Sequence, residues 1–204
     1  MDYEKAKAFV FAKLAEDLLP DLTYHGIHHT LDVLSAALML AKAEQVSPSD
    51  TELLKTAALY HDIGFTVQYR NHEDVGCDIA RGSLLHFGYS PAQIEAICGM
   101  IMATKIPQTP TTPLEEILCD ADLDYLGRKD FYPISNTLYQ EFLHYGFVKN
   151  EIEWDRLQVM FFESHHYFTK TAKALRLPEK NNRLKELKSI EEKYDANETD
   201  SLLL

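Results

Sequence analysis

The chain reads as an all-α protein, a single irregular helical bundle, on three observations. Apolar residues recur at helical spacing in one segment after another. Residues that start or stop helices punctuate those segments. No stretch alternates polar and apolar residues as a half-buried strand would. Helix content well above the base rate of about a third follows. Residues 3–19 interleave Phe9, Val10, Leu14 and Leu18 with Lys13 and Asp17, and Pro20 stops the run. Residues 28–45 carry Leu31, Leu34, Leu38 and Ala41 on one stripe, widened by Val33, Ala37 and Leu40 as burial requires.

Ser47-Pro48-Ser49-Asp50 supplies an N-cap and a proline at the first helical position. The helix it opens runs through Leu53, Leu54, Ala57, Ala58 and His61, and Gly64 ends it. Asn71 caps a helix over 72–87, and Ser90-Pro91-Ala92-Gln93 is a capping box for one over 91–103. Pro107 and Pro110 force a loop after Ile106, which ends in a proline-started helix over 113–126. Helices over 130–146 and 150–175 come next. Leu177-Pro178 then separates them from a charged helix over 179–194, and a polar tail over 195–204 is expected to be disordered.

The 204 residues suit one domain, 1–204, and show neither an internal repeat nor a linker-like shift in composition. With 20 basic and 32 acidic side chains the net charge is −12, which argues against general binding to nucleic acid or an anionic membrane. No segment approaches the roughly 20 apolar residues that span a bilayer. The N-terminus lacks a signal-peptide pattern. Cys77, Cys98 and Cys119 are odd in number and widely spaced, so they read as reduced core residues of a cytoplasmic protein.

Three segments carry chemistry. In Tyr24-His25-Gly26-Ile27-His28-His29-Thr30-Leu31-Asp32, histidines cluster where a loop enters an apolar helix. In Leu59-Tyr60-His61-Asp62-Ile63-Gly64, a carboxylate ends a hydrophobic helix, where the helix dipole and the apolar surroundings both oppose its charge. A bound cation removes both objections. In Cys119-Asp120-Ala121-Asp122-Leu123-Asp124, three acids alternate through an apolar helix, so at least one points inward. Taken singly, each of these residues reads as a hydrogen-bonded core group. As an ordered set, imidazoles and carboxylates suit a divalent ion such as Mn, Mg, Fe, Co, Ni or Zn, with open positions to activate water.

An isolated histidine, then His-Asp, then a later Asp, all on helices, resembles the HD-domain phosphohydrolase superfamily over about residues 22–127. The resemblance implies a helical bundle that hydrolyses a nucleotide or other small phosphorylated metabolite, with His29, His61, Asp62 and Asp122 as metal ligands. Residues 128–194 complete the bundle. The stretch Tyr24-His25-x-x-x-His29-Thr30-x-Asp32-Val33 is also similar to the signature of cyclic-nucleotide phosphodiesterases, which implies His25 as the general acid. Asp62 then both binds metal and helps take up a proton from water. His72-Glu73-Asp74-Val75-Gly76 resembles a stretch whose histidine faces a second metal or the substrate phosphate. One firm metal site, with a second held through Asp62, fits this pattern.

Lys105 and Arg128 are further expected phosphate contacts, and Tyr69 and Arg70 are expected at the mouth. Asp32 is expected to orient His29, because metal-binding histidines need an acceptor on the other ring nitrogen. His28 is expected at the surface, and His165 and His166 as packing or cleft-edge residues, since neighbours on a helix point about 100° apart. The run 181–188 reads as a solvated face. Two other functions compete with hydrolysis: a metal- and nucleotide-binding regulatory module without turnover, and a di-iron oxygenase.

Overall fold

A computed structural model describes the backbone of residues 1–202 and the side chains of residues 1–194. Its helices are α1 (Tyr3–Asp17), α2 (Ile27–Ala43), α3 (Pro48–Tyr60), α4 (His72–Leu84), α5 (Pro91–Ala103), α6 (Pro113–Asp122), α7 (Phe131–His144), α8 (Glu151–Ser164) and α9 (Lys170–Leu202). Among the described residues there is no strand, and no helix is long and apolar enough to cross a membrane. The protein is all-α.

The expected caps form. Ser47 accepts from the Asp50 amide at 3.2 Å, and reciprocal capping boxes join Ser90 to Gln93 and Thr112 to Glu115. Each satisfies amides that a helix start leaves without partners, worth about 1 kcal/mol per cap. Asn71 differs: it precedes α4 in a left-handed conformation with φ 55° and makes no side-chain cap.

Helices α1 to α6 pack round a larger core that includes Val10, Leu40, Leu59, Ile97 and Leu118. A smaller core holds Tyr24, Leu126, Phe131, Phe162 and Leu187, and joins α7, α8 and α9 to the turn after α6. Helix α2 packs on both α3 and α6, and α4 on α5. Cys77, Cys98 and Cys119 are buried and unpaired.

Two boundaries depart from expectation. Helix α6 ends at Asp122, and Asp124–Gly127 form a tight 3-10 turn rather than a continuation. A side chain at Gly127 would stand 2.3 Å from the Arg176 carbonyl, so only glycine lets this turn lie against α9. The second departure concerns the C-terminal helices. They break at residues 165–169, and Pro178 lies inside α9. A proline there forfeits one backbone hydrogen bond and costs ~3 kcal/mol. Fastenings on both sides outweigh it. Asp120 accepts from the Phe168 and Thr169 amides at 2.8 Å each, and Thr169 Oγ1 caps the Ala172 amide. Beyond the proline, Lys180 donates to the Phe162 and His165 carbonyls. The expected tail, 195–204, lies outside the residues whose side chains are described.

Candidate metal centre and adjoining cavity

Three helix ends meet where the ordered histidines and acids fall. His29 lies in the first turn of α2, His61 and Asp62 directly follow α3, and Asp122 is the last residue of α6. Because α2 packs against both α3 and α6, residues far apart in sequence converge. His29 Nε2 lies 3.3 Å from His61 Nε2 and 3.2 Å from Asp122 Oδ1. Asp62 Oδ2 adjoins the same imidazoles, at 3.1 Å from His61 and 3.4 Å from His29. His29, His61 and Asp122 present donor atoms all within 4.8 Å of one another.

This arrangement fits a divalent cation. The His61 Nδ1–H donates to the Ala58 carbonyl at 2.8 Å, which turns the Nε2 lone pair inward. Two inward lone pairs at 3.3 Å repel unless a proton or a metal ion lies between them, and that spacing is normal for neighbouring ligands about 2.0–2.2 Å from one ion. Asp62 Oδ2 is buried without a hydrogen-bond partner, a costly state that a cation relieves. The electrostatics agree. Burial pushes the His61 imidazole down, yet Asp62 and Asp122 overcome this and hold it well above its ordinary value. Burial likewise pushes the Asp122 carboxyl up, but His29 and His61 bring it down to about 2. The cage attracts positive charge to its centre.

His72 begins α4 on the other side of Asp62, with Nε2 3.4 Å from Asp62 Oδ1 and Nδ1 donating to the Tyr69 carbonyl at 3.2 Å. Gly64 permits this approach, since a side chain there would stand 1.9 Å from the His72 carbonyl.

His25 lies beside the cage, its ring centroid 5.9 Å from that of His29, stacked on Phe65 at 4.2 Å. Its Nδ1 meets Glu141 Oε1 at 2.5 Å. Glu141 also accepts from the Tyr24 and His25 amides and from the Tyr69 hydroxyl at 2.8 Å. Burial raises the Glu141 carboxyl, and the hydrogen bonds from His25, Tyr24 and Tyr69 outweigh burial and hold it below 4.5. The buried anion therefore fixes the imidazole orientation, leaving Nε2 for the cavity that His25 lines.

That cavity has a volume of about 630 Å³ and runs from Asp62, His72 and Asp122 between α7 and α8. Tyr69 and Arg70, expected at the mouth, line it, and so does Lys105, expected as a phosphate contact. Lys105 is engaged by Asp74 at 2.9 Å and Asn71 at 3.2 Å. Arg128 is not among the lining residues. It forms two hydrogen bonds to Asp32, at 2.8 and 2.9 Å, and pairs with Asp124 and Asp130. The expectations for Arg128 and Asp32 are thus corrected together: three carboxylates hold the guanidinium away from the cavity, and Asp32 serves that arginine instead of His29. Asp120 and Asp124 are likewise occupied elsewhere, Asp120 by the amides before α9 and Asp124 by Arg176 at 2.7 Å. His28 is exposed. His165 packs against Phe161 and Tyr167, with both ring nitrogens buried and without partners.

Sequence reading missed Glu141 and the aromatic wall. Glu141 sits in an amphipathic helix more than 100 residues beyond His25, and one glutamate there resembles any other. Its only local signal is an acid beside Phe142 and Leu143 on the apolar side of α7.

Comparison with known proteins agrees with this architecture. A protein from an uncultured Thermotogales bacterium, described as a predicted HD superfamily hydrolase, superposes with a TM-score of 0.60 at 19% identity, covering 94% of this chain and 92% of that one. A Lactobacillus plantarum protein superposes at 0.69 and 16% identity, covering 96% and 97%. An uncharacterised Clostridium beijerinckii protein is 33% identical over 76 residues, which is 36% of this chain and 48% of that protein. The chain thus spans about half the length of this curated relative. Residues 26–124 match the family model for the HD domain, and His29, His61, Asp62 and Asp122 gather at one point within that stretch.

Proposed function

We propose that the protein is a metal-dependent phosphohydrolase that cleaves small phosphoesters. The observation that carries the reading is the meeting of His29, His61, Asp62 and Asp122 at one cation-attracting point beside the His25–Glu141 pair. His29, His61 and Asp122 hold the metal together with Asp62, whose other oxygen faces His72. The bound ion supplies a Lewis acid that activates water and neutralises phosphoryl charge.

The chain's own groups handle the protons. Water adds its oxygen to phosphorus, and Asp62 takes up the proton released. The bond from phosphorus to the alcohol oxygen breaks, with its electron pair staying on that oxygen. His25 gives it the proton from Nε2, while Glu141 stabilises the imidazolium through Nδ1–H. Such general-acid help is worth about 10²–10⁴-fold. Arg70 is exposed and lines the mouth, so its guanidinium suits a phosphate oxygen. We regard residues 1–204 as one domain in which α7 to α9 complete the bundle and α7 and α8 wall the cavity, and the buried reduced cysteines accord with a cytoplasmic setting.

The test is metal analysis of the purified protein, with phosphate release from a panel of mono- and diesters under Mn, Mg, Co and Ni. Asp62→Ala is the control. We expect metal-dependent turnover in the wild type, and loss of both metal and turnover in the variant. Metal uptake without turnover of any ester would overturn hydrolysis in favour of a binding module.

A further inference from the structure

Away from the cage, the cavity wall changes character. Leu126, Phe131, Leu138, Phe142, Trp154 and Phe162 form it, all from the turn after α6 or from α7 and α8. Polar side chains within this stretch are already occupied. The Gln158 Oε1 accepts from Ser135 at 2.8 Å, and its Nε2 donates to Asp155 at 3.2 Å. The Thr104 hydroxyl donates to the Ile101 carbonyl at 2.8 Å. At the rim, Ile106, Phe147 and Leu157 stay 55%, 39% and 36% exposed, although large apolar side chains usually withdraw from water.

A phosphoester held at the cage must send its alcohol portion along this wall. A ribose and base edge would bring several donors and acceptors to a stretch of wall that is mostly apolar and whose Gln158 and Thr104 side chains are already hydrogen-bonded. Each polar group left without a partner costs roughly tenfold or more in affinity. An apolar group instead loses unfavourable contact with water on the same wall. From the wall and its continuity with the cage, we propose that the substrates are phosphoesters of apolar alcohols rather than nucleotides. The proposal rests on the phosphohydrolase reading.

Two measurements keep the proposal and that reading distinguishable. The first is equilibrium binding of ethyl-, butyl- and octylphosphonate to the metal-loaded protein. These ligands cannot be hydrolysed, so the readout does not depend on turnover. Affinity should rise up to about fourfold for each methylene buried, and octylphosphonate should bind more tightly than adenosine 5′-monophosphate. Affinity that is flat with chain length, or tighter binding of the nucleotide, would overturn the proposal. The second is turnover of ethyl, butyl and octyl phosphate, whose leaving alcohols have similar acidity. A rise in kcat/KM along this series supports the proposal, and a flat series overturns it. No turnover of any ester defeats the phosphohydrolase reading while the phosphonate result stands by itself. Leu157→Asp places a charge on the partly exposed rim, where folding is least at risk, with melting temperature as the check. It should weaken the chain-length dependence of binding, and an unchanged dependence would count against the proposal.

Discussion

At one end of the cavity, four side chains from three helix ends crowd into a few ångströms, and the buried Asp62 Oδ2 there lacks a hydrogen-bond partner. At the other end, rings and aliphatic side chains from α7 and α8 stand round a mostly apolar space in which Gln158 is already hydrogen-bonded. The first region holds charges together against their repulsion and desolvation, so only a few residue types in one geometry suffice. The second needs only apolar bulk of suitable shape, which many sequences supply. Chemistry is concentrated in residues that resist substitution, and selectivity is spread over residues that tolerate it. Glu141 crosses the divide: it belongs to the C-terminal helices yet holds a histidine beside the His–Asp cage.

The sharpest test of this division is His25→Ala. It should retain metal and lose about 10²–10⁴-fold in kcat/KM on esters with poor leaving groups. The loss should be smallest with an activated group such as nitrophenol, and rate assays across leaving groups check this. Equal losses on all esters, or loss of metal, would remove His25 from proton donation.

Glu141→Gln comes next, with an expected drop of about 10–100-fold and metal retained. It also has a pH signature. The Glu141 carboxyl is held below 4.5 in the folded protein, so the unfolded chain binds more protons in the window just below that value. Its contribution to stability is therefore complete above 4.5 and is lost as pH falls through the lower folded value. Melting temperature against pH should show a shallower acid decline in Glu141→Gln than in the wild type. Parallel declines would show that the pairing does not contribute. The smallest effect should come from Arg128→Ala, at about 1 kcal/mol of stability with kcat/KM unchanged. A fall in turnover would restore the arginine to the phosphate.

The sequence makes the His–Asp cage legible because its constraints are local and unusual. Histidine beside aspartate at the end of an apolar helix conflicts with ordinary burial, and the conflict marks the site. Ser47, Ser90 and Thr112 mark helix starts just as openly. The misreadings have one physical origin, long-range pairing between residue types that are common on surfaces. Arg128 resembles a free cation until the fold brings Asp32 to it across 96 residues. Pro178 resembles a helix end until Lys180 and Asp120 brace the helix on either side. The aromatic chamber gives no warning, because Phe131, Phe142 and Trp154 have the helical spacing of any packed face.

Asp120 and Asp122 are two positions apart on α6, about 200° round its axis. One carboxylate looks into the cation cage, and the other grips the amides that begin α9. This makes α6 a spindle with a load on either side: a shift at the start of α9 is passed to the ligand, and an ion seated in the cage would steady the start of α9.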